Sequence, residues 1–185
     1  MVSLVSLWLP ILVSAVLVFL ISWVIHVFLT YHWTDFGKLP NQDQVLAALR
    51  PLNIPPGEYM VPKPDSSKEM QSPEYQEKLK QGPFLMMTVF PPGPMAMGGQ
   101  LVQWFVYCVV VSVFAAYVAS RAVGTGAEYL AVFRFAGVTA FACYGVAHVQ
   151  TSIWFRRAWS TTFKNLFDAL VYGLVTAGAF GWLWP

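Results

Sequence analysis

Four runs of nearly uninterrupted apolar residues alternate with polar segments along the chain, at approximately 4–28, 101–120, 129–153 and 163–184. Each is about the 20 residues that a membrane-crossing helix needs at 1.5 Å rise per residue. Pro10 falls in the first turns of the opening run, where its missing N–H and fixed φ are tolerated. That run has no Lys or Arg ahead of it, exceeds the length of a signal-peptide core and lacks a small-residue cleavage pattern, so a retained helix is expected.

The connections carry their own signals. Between the first two runs, Asn41 followed by QDQVLAALR predicts a short capped helix ended by Pro51. Ser72-Pro73-Glu74 predicts a second, stopped by Gly82-Pro83. EYMV at 58–61 and FLMMTVF at 84–90 predict short strands able to pair, and PPGPMAMGG at 91–99 an extended loop leading into the second run. Thr125-Gly-Ala-Glu128 has the spacing of a capping box opening the third helix, and Ser160, Thr161 and Thr162 are candidate caps of the fourth. The expected fold is an all-α membrane protein: a four-transmembrane-helix bundle with a small mixed α/β or irregular cytoplasmic insert between helices one and two. Its parts are residues 1–33 (first transmembrane helix), 34–98 (the insert) and 99–185 (helices two to four).

Composition agrees with this class. Of the 185 residues 57% are hydrophobic and only 11% charged, against the roughly 25% charged of a soluble domain. A net charge of +2 gives a nucleic-acid surface no electrostatic basis, so nucleic acid is not an expected partner; the lipid bilayer is. Nine of the eleven basic residues flank the first and third connections, and only Arg121 and Arg134 lie on the other side. By the positive-inside rule the 34–98 connection is cytoplasmic and both termini are outside. Trp33, Trp104, Trp154 and Trp159 at one level, and Trp8, Tyr129, Trp182 and Trp184 at the other, fit interfacial belts.

Helices in lipid associate through close backbone approach, which small residues permit. Ala169, Gly173, Ala177 and Gly181 form such a row on the fourth helix, serving either this bundle's own packing or a protein partner or second copy. Gly137 and Gly145 offer the same on the third.

Ionisable residues at membrane depth are the candidates for chemistry. His26, His148 and Asp168 lie on three helices at nearly one depth, and Gln103 or Tyr107, with Tyr144 and Tyr172, can join that layer. Two imidazoles and a carboxylate suit a divalent metal such as iron, manganese or zinc, and two imidazoles suit a haem. The same groups can instead form a hydrogen-bonded structural network or a proton relay. His32 belongs at the interface, where with Asp35 it can act as an outer partner. Lys164 and Asp168, at i and i+4, are spaced as an ion pair. Cys108 and Cys143 are isolated and read as small apolar residues. Met95-x-Met97 has the form of a soft Cu(I) pair, although methionine serves more often as gap-filler. Nucleotide-binding glycine loops, zinc-protease and nucleophile-elbow motifs are absent from the sequence.

His26 with Tyr31-His32, PPGEYM at 55–60, YLAVFR at 129–134, HVQTSIW at 148–154 and the tail from WSTTFKNLFDAL to FGWLWP together resemble a family of small bacterial integral membrane proteins with four predicted transmembrane helices. The resemblance implies a bacterial inner membrane and no particular reaction. The leading expectation is a non-enzymatic structural or accessory subunit. The alternatives are a metal- or haem-binding protein using His26, His148 and Asp168, and a small transporter or proton-conducting protein.

Overall fold

The computed structural model describes residues 2–185. The chain forms two compact units, Met1–Gly37 with Ala96–Pro185, and Lys38–Met95. A 3-10 turn at Val5–Leu7 leads into α1 (Trp8–Phe28), which accepts Pro10 in its first turn; Leu29 then turns extended and a 3-10 turn follows at Thr30–Thr34. The first unit keeps the chain through Gly37, four residues past the end expected at 33. Within that stretch Asp35 is held at 2.9 Å by Lys164 from the far end of the sequence.

The Lys38–Met95 unit contains α2 (Gln42–Leu49), β1 (Gly57–Val61), α3 (Ser67–Met70), α4 (Pro73–Gln81) and β2 (Leu85–Val89). The two strands pair antiparallel, with Gly57 opposite Val89 and Val61 opposite Leu85. Ser72 caps α4 by accepting from the Tyr75 N–H at 3.2 Å, Pro73 occupies the first helical position, and Gly82 ends the helix at φ +59°. Asn41 departs from expectation. It precedes α2 in the left-handed region, where its side chain makes no capping bond. The short α3, capped by Ser66, was not anticipated. Tyr75 is the one buried hydrophobic side chain of this unit, and its hydroxyl donates to the Pro62 carbonyl at 3.0 Å.

The remaining elements are α5 (Gly98–Ala122), α6 (Tyr129–Phe141), a π turn at Ala142–Val146, α7 (His148–Phe155) and α8 (Trp159–Trp182). The third apolar run is therefore one continuous path with a single widened turn in it. Two expected caps are not made. Gly126 takes φ +68° and gives its N–H to the Pro185 carbonyl at 2.7 Å, which breaks the turn that a Thr125–Glu128 box requires. The fourth helix starts earlier than the hydroxyl run, with Ala158 at its cap. Thr162 lies inside the first turn and meets Ser152 of α7 at 2.6 Å.

In the helical unit α1 packs on α5 and α8, and α6 packs on α5 and α8. Its interior is built from small residues: Ser14, Ala15 and Ser22 on α1, Cys108, Ser112 and Ala115 on α5, Ala136 and Ala140 on α6, Ala169 and Ala177 on α8. Large apolar side chains such as Leu20, Phe114, Val138 and Leu174 face outward. A water-soluble domain has the opposite arrangement; small residues inside and hydrocarbon outside suit a bilayer, where close helix approach takes the place of a hydrophobic drive. Ser14 donates to Ser112 at 2.9 Å and the Trp104 indole N–H to Ser22 at 2.7 Å, joining α1 to α5.

The glycines account for the tight contact of α6 with α8. A Cβ on Gly137 would sit 2.9 Å from that of Ala177, one on Gly145 would sit 2.7 Å from that of Ala169, and one on Gly173 would meet the Gly137 carbonyl at 3.1 Å. Of the two uses expected for the row on α8, it serves this bundle's own packing, against α6, the π turn and, at Gly181, Tyr129 of the same chain.

Among the described residues, three helices are long and apolar enough to cross a membrane: Val5–Phe28, Gly98–Ala122 and Tyr129–Phe155. The protein is all-α and membrane-like in this respect. The fourth expected span, α8, has 24 residues but carries Lys164, Asn165 and Asp168 in its first half and small residues in the remainder, so it falls short in apolarity rather than length.

Candidate metal centre

The polar cluster forms where the end of α1 and the turn after it meet the first half of α8. The helical ladder of α1 ends at Phe28, two residues beyond His26. The 3-10 turn then brings Tyr31 and His32 back toward α8, and Asp35 follows it. His32 places its two ring nitrogens on two carboxylates, Nδ1 at 2.7 Å from Asp35 Oδ2 and Nε2 at 2.8 Å from Asp168 Oδ2. The other Asp168 oxygen accepts from the Tyr31 hydroxyl. Lys164 Nζ donates to the Tyr31 carbonyl at 2.6 Å, Thr34 Oγ1 at 2.8 Å and Asp35 Oδ1 at 2.9 Å, which uses all three of its protons. The ion pair expected between Lys164 and Asp168 is not among these contacts: the segment following α1 draws the ammonium to Asp35.

Burial pushes the Asp35 carboxyl up, but the hydrogen bonds and charges of His32 and Lys164 outweigh it, and Asp35 ends below the ordinary carboxylate range. Burial, and next the bond it donates to Asp168, pushes the Tyr31 phenol well up, so it remains a donor. A neutral imidazole carries one N–H and can donate to only one of the two carboxylates that His32 faces.

His26 stands beside this chain of bonds. Its ring centroid is 4.6 Å from that of His32, with the planes at 41°. One ligand atom each from His26, His32 and Asp168 lies within 4.8 Å of the others. Around a tetrahedral ion at about 2.1 Å, neighbouring ligand atoms are about 3.4 Å apart, so the set has to draw closer to hold one. Asp35 holds His32 by Nδ1, the outer carboxylate contact that fixes the tautomer of a metal-bound histidine. His26 and His32, whose rings are in contact, are not placed to take opposite faces of a haem; the imidazoles expected for one, His26 and His148, both line the cavity described next.

Of the residues expected at this layer, His26, His148 and Asp168 all line one cavity of about 400 Å³, together with Asn165. Trp104, Tyr107, Tyr144 and Tyr172 complete its wall. His148 borders the cavity without joining the group of close ligand atoms, while Gln103 and Gln150 are exposed. Behind the wall, the Tyr172 hydroxyl is buried without a hydrogen-bond partner, which costs about 1–3 kcal/mol, while that of Tyr144 has the Cys108 thiol. The residue that the sequence underplayed is His32. It lies beyond the helix end, where a 3.6-residue period no longer says which way a side chain points; its only signal was Asp35 three residues on.

No family model, curated protein or solved structure matches the chain. The class its own geometry defines is a helical, membrane-type protein with a partly buried His/His/Asp cluster beside an aromatic cavity.

Proposed function

We propose that the chain is a four-span protein of the bacterial inner membrane, with both termini outside and residues 34–98 cytoplasmic, and that it binds a divalent transition-metal ion through His26, His32 and Asp168 in an accessory rather than a catalytic role. The observation that carries the metal is the meeting of three ligand atoms within 4.8 Å, with His32 already oriented by Asp35. In this reading α8 is the fourth span. Its polar half packs against α1, and its small-residue half against α6. The ion would replace the proton between His32 Nε2 and Asp168, with His26 turning in as the third ligand. Two imidazoles and a carboxylate suit zinc, manganese or iron over calcium or magnesium.

Elemental analysis of the protein purified without chelator tests this. The expected result is about one metal ion per chain, lost in His26→Ala while the fold survives. Metal below a tenth of an ion per chain, and no uptake of added zinc or manganese, would defeat it.

A second reading is favoured by the closed chain of bonds from Tyr31 through Asp168, His32 and Asp35 to Lys164. These groups then act as a clamp between the ends of α1 and α8, with His26 a bystander. Under that reading His26→Ala is silent in thermal unfolding, and a chelator changes nothing.

A further inference from the structure

Away from the cluster, α6 and α8 leave a groove of about 240 Å³ along the line where they meet. Its floor is Gly137 and Gly173, where the helices approach so closely that a Cβ on Gly173 would lie 3.1 Å from the Gly137 carbonyl. Its sides are Phe133, Val138 and Phe141 of α6 and Leu170 and Leu174 of α8. Val138, Leu170 and Leu174 are 68%, 47% and 49% exposed, so the groove opens outward.

One charge stands in this apolar lining. Arg134 is exposed, makes no hydrogen bond or ion pair among the described residues, and shares the groove with no carboxylate. Its depth is set by the helix that carries it. The Tyr129–Phe155 path runs 27 residues, about 40 Å, close to the roughly 40–45 Å of a bilayer with its head-group layers. Arg134 is about 7.5 Å from the Tyr129 end, which puts it at the boundary of head groups and hydrocarbon, within side-chain reach of lipid phosphates. Gly173 lies against Phe141 and Gly181 against Tyr129, so α8 runs antiparallel to α6, and Leu174 and Leu170 fall progressively deeper than Arg134. The groove thus has its cation at the mouth and apolar side chains below.

That outline fits an amphiphile with an anionic head and a hydrocarbon tail. A guanidinium presents parallel N–H donors that match two phosphate oxygens. A zwitterionic head group brings an ammonium of its own, and the groove has no carboxylate to meet it, so a head group of net negative charge is favoured. A second copy docking here by twofold symmetry would bring two Arg134 side chains into one apolar interface without a counter-charge, at a desolvation cost.

We propose that the groove between α6 and α8 binds one anionic phospholipid, its phosphate on Arg134 and an acyl chain laid against Val138, Leu174 and Leu170. This rests on the membrane-spanning reading of these helices and is independent of the metal.

The test is native mass spectrometry of the full chain released from nanodiscs of equal parts phosphatidylglycerol and phosphatidylcholine. The expected result is about one phosphatidylglycerol retained per chain in preference to phosphatidylcholine. Arg134→Gln should lower that preference roughly fivefold, the worth of one basic side chain at a membrane surface. Leu174→Trp, which fills the groove and keeps the charge, should lower retention of both lipids. Equal retention of the two lipids by the wild type would overturn the proposal. So would an undiminished preference in Arg134→Gln, or a dimer that carries no lipid. A chain that never co-elutes with the discs overturns the membrane-spanning reading and the lipid site with it; stoichiometric metal without a lipid preference removes the lipid site alone.

Discussion

Lys164 joins the segment after α1 to α8 through three oxygens, at 2.6, 2.8 and 2.9 Å. Lys164→Met keeps the aliphatic stem and removes the charge, leaving Asp35 with His32 alone. Breaking one side of a fully buried pair costs roughly 3–5 kcal/mol. Because the lysine side chain is 21% exposed, solvent screening reduces this, and a loss of about 2 kcal/mol in denaturant unfolding is expected. An unchanged midpoint would mean that the clamp carries no stability. Glycine substitutions separate packing from charge. Gly145→Val drives a side chain into Ala169 and is expected to destabilise by about 1–3 kcal/mol, read as a lower unfolding temperature. Gly124→Ala, with nothing within 4 Å of the added carbon, should be silent. At this scale the sequence was readable for His26 and Asp168, because an ionisable group on an apolar helix stands out. It was not readable for the partner of Lys164, because the i,i+4 rule knows nothing of a carboxylate delivered from the other end of the chain.

The helices show where local rules suffice and where packing overrides them. Ser72, Pro73 and Gly82 delimit α4 in the expected places, since cap and stop are decided within a turn of backbone. The strands at 57–61 and 85–89 were visible as short apolar runs. Thr125 and Ser160 failed as caps for non-local reasons: the bond from Gly126 to Pro185 and the contact between Thr162 and Ser152 shift the helix starts. The Lys38–Met95 unit buries little beyond Tyr75, so that ring should decide its integrity. Tyr75→Ala is expected to speed limited proteolysis within 38–95 severalfold while α1 and α5 to α8 stay resistant; an unaltered cleavage pattern would show that the unit holds by other contacts.

For the whole molecule, what composition announced was a chain for which water is the wrong solvent, and the arrangement of alanine and serine inside with leucine and phenylalanine outside agrees. Four spans were read from four apolar runs, whereas α8 trades apolarity for the cluster and for close packing, two demands that a count of hydrophobic residues sees only as weakness. Orientation can be tested directly. In intact cells a membrane-impermeant maleimide should label Gly124→Cys and should reach Lys63→Cys only after the membrane is opened; the reverse pattern would invert the proposed topology. The native Cys108 and Cys143 sit within the helices, the first fully buried.

The π turn at Ala142–Val146 gives residue number a meaning of its own in the third helix. A regular helix advances about 100° per residue, so the extra residue held by the wide turn sets the rotational phase of everything after it. Deleting one residue there would leave the composition and length of the helix nearly intact. Yet it would swing His148 from the cavity and Ser152 from Thr162 by more than a quarter turn. Every side chain of the site would still be present, and one wall of it would face elsewhere. Insertions and deletions in this stretch act as rotations, and a relative of this chain keeps the site only if it keeps the count.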